Sequence, residues 1–322
     1  MWAKAKDLSK YNFLVEKLSQ YYALLKESSK YNSLFEVANR LEKLYGGKAY
    51  VGLRIPDADT VSRQDIDIVL VTEGKAVVIS VMDISGTVAV SLDSSWVIIK
   101  DTTKERLPDL VVETKRKASI LESYLDLRGV ALPEGYFSCY VVLPNPKLRI
   151  ISSSRLPSEV ITYDRWQQLK PEHKSMFSGC TEGAFRGREE MKGSIHSILS
   201  TAPMWDRLEL KGNKYVLGEF LDFDGIQDEI QAYLMKKIKR STVSHLLIVQ
   251  QPSKGFHGWI AEGSMVKVLY SCRDYQGEEG SASKRKEITV SSSIQVLFQP
   301  QNWANKFYRL DLSQLVSLSL ST

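Results

Sequence analysis

The sequence predicts a mixed α/β domain followed by a β-rich domain, and three observations carry that expectation. Short runs rich in β-branched residues fill the stretch from Ala49 to Lys100. Helical apolar periods stand on either side of them, from Leu8 to Leu25, from Ser33 to Tyr45 and from Val111 to Leu127. Beyond residue 204 the chain turns to closely spaced short strands interrupted by a single helical period.

Composition sets the outer limits. With 322 residues, 43% hydrophobic and 25% charged, the chain has room for about two domains and enough apolar material to bury a core without staples. Those fractions lie at the globular average, which excludes global disorder and low-complexity architectures. The three cysteines, Cys139, Cys180 and Cys272, are far apart and form no CxxC pair, which excludes a disulfide scaffold and a Cys-rich zinc module and points to a reducing compartment. No uninterrupted apolar run approaches the roughly 18 residues of a membrane span. The first residues, MWAKAKDLSKYNFLVEK, are too polar for the apolar core of a secretory leader. The expectation is an intracellular protein of the cytoplasm or nucleus, with peripheral membrane association left open. A formal net charge of +5 is compatible with a nucleic-acid or anionic partner and too weak to demand one.

Taken in order, the first element is an amphipathic helix over residues 1–32. Leu8, Tyr11, Val15, Leu18, Tyr22 and Leu25 recur in steps of three and four and make one apolar seam. The seam suits a protein partner or a second copy of the chain; the plainer use is packing on its own domain. A second helix is expected from Ser33 to Tyr45, opened by a Ser33/Glu36 capping box and closed by Gly46-Gly47. Strands follow at Ala49–Leu53, Ile66–Thr72, Ala76–Val81, Thr87–Leu92 and Trp96–Lys100, punctuated by turn-formers such as Glu73-Gly74 and Ser85-Gly86. A helix from Val111 to Leu127 presents Val111, Ala118, Leu121 and Leu125 to a core. Strands at Tyr136–Leu143 and Val160–Thr162 and a short helix near Trp166 complete this part. A helix joining strands implies at least one parallel pair. Residues 170–203 read as a linker, since glycines sit there among charges. Residues 204–322 then read as a β-rich, barrel- or sandwich-like domain with one helix near Ile226 to Lys239, whose buried face would be Ile226, Ile230, Leu234 and Ile238.

P-loop, dinucleotide, zincin and nucleophile-elbow motifs are all missing from the sequence. The four histidines, His173, His196, His245 and His257, are scattered. The informative stretch runs from Gln64 to Gly86, QDIDIVLVTEGKAVVISVMDISG. It reads as a hairpin in which Asp67 heads an apolar strand. A carboxylate at that rim can ligate a hard divalent ion.

This hairpin resembles the nuclease-related domain (NERD) family of the PD-(D/E)xK superfamily. Glu36 on the preceding helix, Trp96 in a later strand and the helix after it fit the same pattern, and VANRLEKLYGGKAYVGLRIPDADT and GVALPEGYFSCYVVLPNPKLRI resemble plant members. The resemblance spans roughly Ser33 to Trp166, and the expected domain boundaries are 33–169. It implies a restriction-endonuclease-like mixed sheet flanked by helices and phosphodiester hydrolysis aided by Mg²⁺ or Mn²⁺. An Asp and a Glu would hold the ion, and a Lys two residues past that Glu would face the same side and serve the attacking water.

Carried onto this chain, the helix Glu is Glu36 and the strand Asp is Asp67, the two metal candidates. The second acid falls on Ser80 and the Lys on Met82. Ser80 is at best a weak oxygen ligand and Met82 carries no charge. Each missing group is worth about 10²-fold or more in rate, so the resemblance implies a degenerate site. Lys75, Lys100 or Lys115 could stand in for the lysine, giving a weak metal-dependent nuclease. Asp83 would face the other side of the sheet. The plainer readings are a helix cap for Glu36, a strand-entrance turn for Asp67, and core packing for Ser80 and Met82. Three basic runs, Lys115-Arg116-Lys117, Lys236-Lys237 with Lys239-Arg240, and Lys284-Arg285-Lys286, could touch phosphates or simply be solvated faces. Lys115, Lys117, Lys236, Lys237, Lys239 and Arg240 are the nucleic-acid candidates.

Overall fold

Serine hydroxyls shape the first element. Ser28 and Ser29 donate their hydroxyls to the carbonyls of Leu25 and Lys26, at 2.8 Å each, so polar side chains that could have broken the helix are absorbed within it. The expected pair of helices is therefore one helix, α1 (Trp2–Tyr45). Ser33 lies inside it and caps nothing; its hydroxyl donates to Asp83 instead. The helix ends at Gly46 and Gly47, both at positive φ. At Gly47 a Cβ would stand 2.0 Å from the Val71 carbonyl oxygen, so only glycine fits where the chain turns into the sheet.

The computed structural model describes residues 2–91, 93–100, 103–151, 156–171, 182–251, 264–273, 285–301 and 306–321. The chain divides into two units, Ser33–Met204 and Met1–Asn32 with Trp205–Thr322.

In the unit Ser33–Met204, β1 (Lys48–Pro56), β2 (Arg63–Val71) and β3 (Ala76–Val81) form an antiparallel meander. β7 (Phe137–Val142) joins β3 in parallel, and β9 (Val160–Ile161) joins β7 in parallel, giving the order β1-β2-β3-β7-β9. The crossover to β7 includes α2 (Leu110–Asp126), opened by Asp109, whose carboxylate accepts from Val111 N and Val112 N. Ala118, Leu121 and Leu125 of α2 cluster with Val69, Val71, Ala76 and Val78 of the sheet. A second sheet, ordered β6-β5-β4-β8, holds β4 (Gly86–Val90), β5 (Trp96–Lys100), β6 (Thr103–Leu107) and β8 (Leu148–Ile151). Its core is built around the fully buried Trp96 with Val88 and Ile98. A short helix, α3 (Tyr163–Gln168), follows β9.

Where the sequence suggested a linker, helix α4 (Glu182–Thr201) stands. Ile195, Leu199 and Ala202 are buried in the core of this unit, and Tyr50 Oη lies 2.8 Å from His196 Nδ1. Burial pushes the Tyr50 phenol up to about 12.

In the other unit one eight-stranded antiparallel sheet curls into a half-barrel, ordered β14-β13-β12-β17-β10-β11-β15-β16. Its strands are β10 (Asp206–Leu210), β11 (Lys214–Asp224), β12 (Val243–Gln250), β13 (Met265–Cys272), β14 (Lys286–Ser291), β15 (Gln295–Pro300), β16 (Tyr308–Asp311) and β17 (Leu315–Ser319). Burial alternates along β10, β13 and β15, which gives the sheet one apolar face. Its helix, α5 (Glu229–Met235), is shorter than the apolar period suggested. Met235 and Ile238 are buried, whereas Ile230, expected inside, is 71% exposed.

Candidate functional site

The two faces of the five-stranded sheet separate the candidate residues. Val69 pairs with Val78 and both point toward α2, so by alternation Asp67 on β2 and Ser80 on β3 belong to that same face. Asp67 is half-buried, and its Oδ2 accepts from Val81 N at 2.8 Å. Above Ser80 stands Thr114 of α2, fully buried, with its hydroxyl 2.9 Å from Ser80 Oγ and 2.7 Å from the Leu110 carbonyl. Thr114 was not anticipated as a site residue. It lies on the apolar stripe of α2 between Val111 and Ala118, and a lone polar residue on such a stripe is the signal that would have found it.

Met82 follows the end of β3. Its N–H donates to the Val142 carbonyl at 3.0 Å, and its side chain packs against the cluster around Trp96, Val88 and Val90. A residue expected at the place of a cationic water-activating group is thus part of an apolar core.

Glu36 is exposed on α1 and makes no capping box, because the helix does not begin there. It lines a cleft of about 500 Å³ with Ser33, Arg40, Asp83, Asn145 and Lys147. Asp83 is held there by the Ser33 hydroxyl and by Asn145 Nδ2, the latter at 2.7 Å. The carboxylate that shares a cleft with Glu36 is therefore Asp83. Among the described residues, no group of three or more His, Cys, Asp or Glu side chains is placed to hold a metal ion. The donors at the expected positions are Glu36, exposed in the cleft with Asp83, the Asp67 carboxylate, which already accepts a backbone N–H, and the Ser80 hydroxyl, which is bonded to Thr114; such a set fits Mg²⁺ or Mn²⁺ poorly.

The basic residues divide into paired and unpaired sets. Lys115 Nζ lies 2.8 Å from Glu159 Oε1, and the ammonium, with Ser158, draws the Glu159 carboxyl down to about 2. Arg116 reaches Gln64, Glu113 and Asp57. Arg240 is bound 2.6 Å from the fully buried Asp206 and donates to the Phe220 carbonyl at 2.9 Å. Lys117, Lys236, Lys237 and Lys239 enter no ion pair among the described residues, and Lys237 stands over the Tyr233 ring, 4.3 Å from its centroid. Lys284, His173, His257 and Cys180 lie outside the described residues. Cys139 is half-buried, with its thiol pushed up by burial.

No curated protein and no solved structure matches the chain. Residues 29–144, from the latter part of α1 to the end of β7 and so including Glu36, Asp67, Ser80, Met82 and Thr114, match the family model of the nuclease-related domain.

Proposed function

We propose that this protein uses a nuclease-related domain to bind nucleic acid without efficient cleavage. The observation that carries the reading is the pair Ser80 and Met82: one is tied to Thr114 and the other is packed into the Trp96 core. On this reading the positions of the second metal acid and of the lysine serve the fold, while α2, which covers that face, carries Lys117, which enters no ion pair among the described residues. The test is incubation of labelled single- and double-stranded DNA and RNA with Mn²⁺, using the natural chain, Asp67→Ala, and the double variant Ser80→Glu/Met82→Lys. Circular dichroism verifies the fold of each. The expected result is retention of nucleic acid by the natural chain in a low-salt gel shift, undiminished by chelator, with cleavage by the double variant alone. Cleavage by the natural chain that Asp67→Ala abolishes would instead establish a weak metal-dependent nuclease. No retention of any nucleic acid overturns the binding reading.

A second reading rests on α1. Two residues of the predicted apolar seam are open to solvent, Val15 at 48% and Tyr22 at 68%, whereas Leu24, Ser28 and Tyr31 face inward. The side chains of Leu8, Tyr11 and Leu18 lie outside the described residues. Val15 and Tyr22 are seven residues apart, the spacing of a helix that pairs with a second copy of itself. The double change Val15→Asp/Tyr22→Asp is expected to reduce a dimer to a monomer by light scattering. A natural chain that is already monomeric removes self-association, and a dimer left intact by the substitutions removes this seam as its contact.

A further inference from the structure

The face of the five-stranded sheet turned away from Asp67 and Ser80 encloses a second cavity, of about 240 Å³. Its floor is Leu70, Val77, Ile79 and Val142, all buried, alternating along their strands with the residues that face α2. Leu41 of α1 closes one side and Leu169, just after α3, another. Two cations stand in the lining, Lys75 and Arg165, and no aspartate or glutamate lines it among the described residues.

At Lys75 the backbone is fixed, and at Arg165 the guanidinium itself. Thr72 donates its N–H and its hydroxyl to the Lys75 carbonyl, at 3.0 and 2.9 Å, which fixes the β2–β3 turn from which Lys75 projects. Arg165 is anchored through Nη1 to the carbonyls of Val160 and Ser158, at 2.8 and 3.2 Å. Its Nε and Nη2 carry no hydrogen bond within the described residues. A guanidinium oriented in this way presents two donors in a planar fork suited to a carboxylate.

An apolar chamber with a cationic, acid-free rim matches one kind of molecule: a small amphipathic anion. We propose that this cavity binds a medium-chain carboxylate, with the chain against Leu70, Val77, Ile79 and Val142 and the carboxylate at Arg165 and Lys75. Volume limits the length. An apolar cavity of about 150 Å³ takes benzene, about 25 Å³ per heavy atom, so this one takes about ten heavy atoms, the size of octanoate. Long acyl chains do not fit, and the chemistry is the same whether the acid is free or released from a larger lipid.

The site does not depend on the nucleic-acid reading, since it occupies the opposite face of the sheet. Octanoate is the probe, titrated calorimetrically into the full chain, with octan-1-ol as its uncharged counterpart. The expected result is saturable one-to-one binding of octanoate, with octan-1-ol at least about tenfold weaker. Arg165→Gln and Lys75→Gln, both at exposed positions, are each expected to weaken octanoate about tenfold. Val77→Phe, which fills the floor, is expected to abolish binding, and Ile161→Phe at the half-exposed wall does the same if Val77→Phe does not fold. Three outcomes overturn the proposal: no saturable heat at millimolar octanoate, octan-1-ol binding as tightly as octanoate, or octanoate binding indifferent to the two cation substitutions made together.

Discussion

Asp206 is fully buried, and its carboxylate accepts from Phe220 N and Ser321 N, at 2.7 Å each, and from Arg240 at 2.6 Å. Burial pushes this carboxyl above its ordinary range, and the two backbone donors and the guanidinium pull against that. Removing the cation would leave a buried charge with its two backbone donors alone. Breaking a buried pair by deleting one partner costs about 3–5 kcal/mol; because Arg240 is 37% exposed, Arg240→Ala is expected to lower stability by about 2–4 kcal/mol in urea unfolding. Lys236→Ala, at a solvated position of the same basic run, should stay within about 0.5 kcal/mol. Equal effects from the two would refute the assignment of Arg240 to the fold. The contrast separates charges that serve the fold from charges available to a ligand, a distinction that neighbours in sequence do not reveal.

Elements were legible where one local signal dominated. β3 and β5 match their expected bounds because short β-branched runs bounded by turn-formers have few alternatives, and α2 lies within one residue of its expected bounds because its apolar spacing is regular. Elements were misread where tertiary contacts outweighed local chemistry. Ser33 and Glu36 form a helix-start pattern, yet Asp83, fifty residues away, takes the Ser33 hydroxyl and leaves it in mid-helix. Helix α4 was hidden by Gly183, Gly187 and Gly193, although Met191, Ile195, Ile198, Leu199 and Ala202 repeat at helical spacing and pack against the core. β6 is Thr-Lys-Glu-Arg-Leu, with no β-branched residue after Thr103, and is a strand because β5 supplies its hydrogen bonds. What strand alternation made legible at the candidate site is that Asp67 and Ser80 share one sheet face. The contacts that give Ser80 and Met82 their structural roles come from α2 and from the second sheet, so they were not readable in the hairpin that contains both residues.

At the scale of the whole molecule, the net charge of +5 is a small surplus, and Lys115, Arg116 and Arg240 are each already paired with a carboxylate. Any attraction for a polyanion must come from local groups. Of the residues considered for nucleic acid, Lys117 in one unit and Lys236, Lys237 and Lys239 in the other enter no ion pair among the described residues. Each lysine that displaces a counterion from single-stranded nucleic acid adds about −0.7 to the slope of log affinity against log salt, so four such contacts give about −3. Fluorescence anisotropy on a labelled single strand across a salt series measures that slope. Lys117→Ala is expected to reduce its magnitude by about 0.7, and the triple change Lys236→Ala/Lys237→Ala/Lys239→Ala by about 2. Lys115→Ala should change it less than Lys117→Ala, because Glu159 already neutralises that ammonium. A slope altered by only one of the two groups confines recognition to one unit, and a slope altered by neither removes these lysines from the interface.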